Sequence, residues 1–151
     1  MNVLGIRCSN SDYSFAILTG TKISPEIIIF RQTNYPKGFT KPHSVKWLYQ
    51  EIETLVSDYS IKKIVMKASE AISAQKTLED RIEHEAMIFL VAANHNIRDV
   101  SKKRKNTIAS NLGLKGKSKY LAKLDTSILP NFDTCNDKIK EAILVAWSDL
   151  P

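Results

Sequence analysis

The densest chemistry in this sequence is cationic. Between Arg98 and Lys123 stand nine Lys or Arg residues and one acid, Asp99, a local charge of +8 in a chain whose formal total is +6. The basic residues fall into two groups, Lys102-Lys103-Arg104-Lys105 and then Lys115, Lys117 and Lys119. Charges spaced in this way can follow a phosphate backbone, each contact adding affinity and salt dependence but no sequence preference. Tyr120 is the only aromatic residue in the segment, so stacking on unpaired bases has little to act through. The plain alternative is a solvated lysine-rich face that answers the acidic stretch Glu79, Asp80, Glu83 and Glu85, within an oligomer such as a homodimer.

Other candidate groups carry less. His43, His84 and His95 do not have the spacing of metal ligands, and His84, set among acids, is expected on a solvent face. Ser69 and Ser73 have no neighbouring histidine to activate them. The run from Gly113 to Ser118 superficially matches a phosphate-binding loop, but it lacks the four-residue gap between its glycines and a strand before it. Cys8 and Cys135 are the only two cysteines and make no CxxC, which excludes a zinc site or a disulfide framework. No apolar run approaches the roughly 20 residues of a membrane span, and Met1 to Arg7 does not read as a secretory leader. The expectation is a cytoplasmic protein with reduced thiols, no membrane partner and no bound cofactor.

Something must position these groups, and 151 residues with 43% hydrophobic content make one domain, 1–151, with a single core. Val3 to Cys8, Tyr13 to Leu18 and Ile27 to Phe30 are short apolar runs parted by turn residues, a meander of three antiparallel strands. Val45, Leu48, Ile52, Leu55 and Val56 share one helical face. Ile61 to Met66 reads as a fourth strand, entering parallel to the first through a right-handed crossover. Leu78, Ile82, Ala86, Phe89 and Ala93 predict a second helix with that stripe on the core, and Ile97 to Val100 a last strand. Ile139, Ala142, Ile143, Ala146 and Trp147 predict a final helix, capped from among Asp133, Thr134 and Asn136. The fold class is therefore α/β, with a mixed five-stranded sheet flanked by helices and a basic helical insertion before the last helix.

That order, the opening Val3-Leu4-Gly5-Ile6, the strand Lys63-Ile64-Val65-Met66, the stretch Asn106 to Lys119 and the helix Glu141-Ala142-Ile143-Leu144-Val145-Ala146 together resemble the RuvC-type Holliday-junction resolvases. These belong to the ribonuclease H-like superfamily. The resemblance covers nearly the whole chain and rests on pattern more than on invariant residues. It implies a site of carboxylates at the ends of the first and fourth strands and the start of the last helix, holding two magnesium ions about 4 Å apart.

At the first two of these positions the chain has Arg7 and Lys67. Only the last helix keeps acids, Glu141 at the matching place and Asp137 one turn earlier. Each replacement swings the local charge by two units. A unit charge 4 Å from a divalent ion costs about 8 kcal/mol at an effective dielectric of 20, so two-metal binding is not expected. Two accounts of the altered site stand side by side: Arg7 and Lys67 pair with Glu141 in its place, or they contact a phosphate directly. The expected function is nucleic-acid binding through the basic segment without metal-dependent cleavage. The alternatives are a non-catalytic protein-binding scaffold or oligomer subunit, and a divergent nuclease in which magnesium is held by Asp137 and Glu141, helped by Asp12 or Glu70.

Overall fold

In a computed structural model, described here over residues 1–70 and 75–151, the chain forms one mixed sheet with helices on both faces. Ser73 lies outside the described residues. The strands are β1 (Val3–Cys8), β2 (Asp12–Gly20), β3 (Pro25–Asn34), β4 (Lys63–Lys67) and β5 (Asp99–Lys103), and the five-stranded sheet has the order β3-β2-β1-β4-β5. β1 and β2, and β2 and β3, are antiparallel, whereas β4 runs parallel to both β1 and β5. Helices α1 (Lys41–Asp58), α2 (Gln75–Asn94), α3 (Lys105–Asn111) and α4 (Asp137–Trp147) complete the fold.

Strand alternation divides the core into two halves. Leu4, Ile6 and Cys8 of β1, with Ile64 and Met66 of β4, face α1 and α2, where Leu48, Ile52, Ile88 and Val91 meet them. Val3 of β1 and Val65 of β4 face α4 and its Ala142, Ile143 and Ala146. Gly5 shares this second face and touches the α4 backbone. Arg7 and Lys67, the next residues of the same parity, are thereby aimed along the sheet toward the N-terminus of α4. That end is fixed by Asn136, whose side chain accepts the Ile139 N–H at 3.0 Å and whose amide donates to Gln32 Oε1 at 2.6 Å.

The expected order of elements is present, with three differences. β5 starts later than the apolar run suggested and contains Lys102 and Lys103, because parallel pairing to β4 extends through Lys67 opposite Lys103. The basic insertion is only partly helical: α3 ends at Asn111, and a 3-10 turn over Ser118–Lys123 follows a link with Gly113, Lys115 and Gly116 at positive φ. In α2 the stripe expected in the core is the exposed one. Leu78, Ile82, Ala86, Phe89 and Ala93 are exposed, as is Leu90 beside them, while His84, Glu85, Ile88, Val91 and Ala92 are buried.

Candidate functional site

At the C-terminal ends of β1 and β4 the structure assembles a cross-braced set of ion pairs. The Arg7 Nε–H donates to Glu141 Oε2, spanning 134 residues of sequence. Lys105 Nζ, from α3, approaches the other carboxylate oxygen of Glu141 to 3.7 Å. One guanidinium nitrogen of Arg7, Nη1, is buried with no hydrogen-bond partner among the described residues. Lys67 is 2% exposed, and its ammonium donates to Glu70 Oε1 and to the Ala68 carbonyl, both at 2.6 Å. Glu70 Oε1 also accepts the Lys105 backbone N–H at 2.6 Å.

These contacts set the protonation states. Burial pushes the Lys67 ammonium below the usual lysine range, against the opposing pull of Glu70 and Glu141. For Glu70, burial favours the neutral acid, but the Lys67 and Lys105 hydrogen bonds outweigh it and hold the carboxyl below its ordinary value. Asp12 behaves alike: it is 3% exposed, bonded to Lys138 and Ser11, and kept below the ordinary range despite burial. Asp137 lies exposed on the first turn of α4. Asp137 and Glu141 border a groove of about 410 Å³ whose other walls include Lys105, Lys140, Leu121 and Phe132.

This donor set does not fit a pair of magnesium ions. Two ligand positions hold cations, and the carboxylates nearest them, Glu141 and Glu70, are already engaged by those cations. Among the described residues no three His, Cys, Asp or Glu side chains converge to hold a metal ion. Of the two accounts of the altered site, the geometry is that of internal pairing. Lys67 takes Glu70 as its hydrogen-bonded partner and leaves Glu141 to Arg7 and Lys105.

The basic segment is divided by the strand it enters. Lys102 and Lys103 are consecutive on β5 and point to opposite faces. Lys102 donates to Glu85 of α2, and Lys103, 7% exposed, donates to Asp149 and to the Ser148 carbonyl beyond α4. The expectation that Lys103 reaches a nucleic acid is corrected accordingly, because Lys103 is interior, whereas Lys102 is exposed and paired with Glu85. Arg104, Lys115, Lys117, Lys119 and Lys123 remain exposed, with Lys105 half-buried at the ion-pair cluster. Lys119 and Lys123 lie 5.5 and 5.0 Å from the Tyr120 ring centre. The acids thought to answer the basic face serve within the chain: Asp80 and Glu83 pair with Lys41, and Glu85 pairs with Arg81 and Lys102.

His84 is a second correction. It is 2% exposed, with Nε2 2.9 Å from Ser44 Oγ and Nδ1 2.7 Å from the Asp80 carbonyl. Ser44 was not singled out from the sequence, because its partner lies 40 residues away on another helix.

No model of a known protein family matches the chain, and no curated protein matches it by sequence. Solved structures do. RuvC of Thermus thermophilus matches with a TM-score of 0.81 at 10% identity, over 98% of this chain and 92% of that one. RuvC of T. thermophilus in complex with a Holliday-junction substrate gives 0.78 at 9% identity, over 98% and 91%. The yeast mitochondrial Holliday-junction resolvase Ydc2 gives 0.68 at 15% identity, over 97% and 76%. With the strand order, the helix placement and this likeness along nearly the whole chain, the molecule has the ribonuclease H-like fold of the RuvC resolvases.

Proposed function

We propose that this chain is a RuvC-like domain that binds nucleic acid without metal-dependent cleavage. The Arg7–Glu141 pair carries the reading, because it fills with a neutralised contact the place where the resemblance puts metal-binding carboxylates. Exposed Arg104, Lys115, Lys117, Lys119 and Lys123 supply the phosphate contacts beside it. A RuvC structure of similar fold holds a Holliday junction, so branched DNA is the first ligand to try. The setting is cytoplasmic, in keeping with two free cysteines. The apolar stripe Leu78, Ile82, Phe89 and Leu90 on α2 favours a homodimer as the binding unit.

The test is a salt-titrated binding assay on branched, duplex and single-stranded DNA and RNA, run with magnesium or manganese. Binding that weakens with salt, with substrates left intact, is the expected result. Magnesium-dependent products that disappear in Glu141→Gln would establish the divergent nuclease instead. Absence of binding at low salt would leave the non-catalytic scaffold.

A further inference from the structure

On the face of the sheet opposite α4 lies a second cavity, independent of the nucleic-acid reading. It encloses about 510 Å³ between the β1–β2 turn, the segment from Asn34 to Lys41, and the facing sides of α1 and α2. Ser44 and His84 both line it. Their contact has a defined polarity. The Asp80 carbonyl can only accept, so His84 Nδ1, 2.7 Å away, carries the ring proton and donates it. Nε2 is then the acceptor of the neutral ring, and the Ser44 hydroxyl, 2.9 Å away, donates to it.

The ring cannot easily turn. Tyr35 stacks on it at 4.3 Å with 6° between the planes, and the Asp80 bond fixes its edge. Burial holds the imidazole below its usual range, so it is in the basic form near neutral pH, despite the favourable Asp80 contact. The charges around it are Lys41, paired with Asp80 and Glu83 at the helix edge, and exposed Lys37 on the rim. Asn10 and Asn34 line the same cavity.

A hydroxyl bonded to a neutral imidazole whose other nitrogen is held by a fixed acceptor is the arrangement that activates a serine nucleophile. We propose that Ser44 and His84 form a nucleophile and base for acyl transfer from small carboxylic esters admitted to this cavity. In the reaction the Ser44 Oγ–carbonyl carbon bond forms as the hydroxyl proton passes to His84 Nε2. That proton then goes to the leaving alkoxide as the ester C–O bond breaks. Water, deprotonated by the same nitrogen, cleaves the acyl-serine, releasing the carboxylic acid and restoring the hydroxyl. Asn10, Asn34 and Lys37 are the groups available to stabilise the oxyanion.

The test uses the full chain and a fluorophosphonate probe, read by intact mass and peptide mapping, alongside hydrolysis of p-nitrophenyl acetate. The proposal expects one adduct, on Ser44, lost in Ser44→Ala and formed at least tenfold more slowly in His84→Gln. An unlabelled Ser44, or labelling indifferent to His84→Gln, overturns it. Should His84→Gln fail to fold, Ser44→Cys decides. Paired with a basic imidazole, its thiol reacts with iodoacetamide at pH 6 to 7 at least tenfold faster than Cys135 in the same chain. An ordinary thiol profile overturns the proposal. The nucleic-acid assay is unaffected by either result, so the two readings fail separately.

Discussion

Gly5 of β1 lies directly under Ala142 of α4: a Cβ added to Gly5 would fall 2.3 Å from the Ala142 carbonyl oxygen and 2.8 Å from the Ala146 Cβ. At Gly5 the helix meets the strand through its own backbone and the Ala146 methyl group, and this close approach sets the height at which Glu141 meets Arg7. Gly5→Ala forces α4 outward, because a backbone oxygen cannot swing aside as a side chain would. The expected loss is about 3 kcal/mol, the upper range for overpacking, read from urea midpoints. Ala142→Gly, which adds no atom, does not relieve it.

Removing one partner of the Arg7–Glu141 pair leaves a largely buried charge. Arg7→Met and Glu141→Gln should each cost about 2 kcal/mol, with the double variant costing less than their sum. Arg7→Met should be the milder, because Glu141 keeps Lys105 as a partner, whereas Glu141→Gln leaves without a counter-charge a guanidinium whose Nη1 already has no partner among the described residues. A double-mutant cycle of urea unfolding measures the coupling, and a coupling indistinguishable from zero would show that the pair contributes nothing to the fold.

Affinity for duplex DNA should fall steeply with salt, and Lys115→Gln, Lys117→Gln and Lys119→Gln should each lower the log–log slope by about 0.9. Lys103→Gln should leave the slope unchanged and lower stability, since Lys103 is tied to Asp149 inside the molecule. Fluorescence anisotropy across a salt series separates these outcomes.

Acid should weaken the fold in two steps. His84 has a folded-state value below its ordinary 6.5, so the unfolded chain takes up the proton first. Its contribution is complete above about pH 6.5 and declines as pH falls through the folded value. His84→Gln should flatten the upper limb of the stability profile, where pH falls below about 6.5. Asp12 and Glu70, held below 3.8 and 4.5, contribute fully above those values and lose their contribution as pH falls through their lowered ones. Asp12→Asn should flatten only this lower limb in denaturation curves collected across pH.

Sequence periodicity disclosed the strands and the order of helices because apolar alternation and capping are local. It misassigned the faces of α2 because that helix is apolar on both sides of its polar residues, and its buried polar groups are satisfied from a distance. His84 is bonded by Ser44, and Glu85 by Lys102, contacts spanning 40 and 17 residues. The run from Lys102 to Lys105 read as one patch because like charges adjacent in sequence look adjacent in space. Inside a strand they are not: β5 sends Lys102 and Lys103 to opposite faces. Arg7 and Lys67 were legible as departures from a resemblance, but Glu70 as the ammonium's partner required the geometry of the β4 exit.

Arg7 and Lys67 stand on neighbouring parallel strands in the middle of the sheet, each with its own carboxylate. The edge so formed carries its counter-charges within the covalent chain. Because both pairs close within the chain, the ends of two central strands are tied by charge, one to the first turns of α4 and the other to the residues that follow β4.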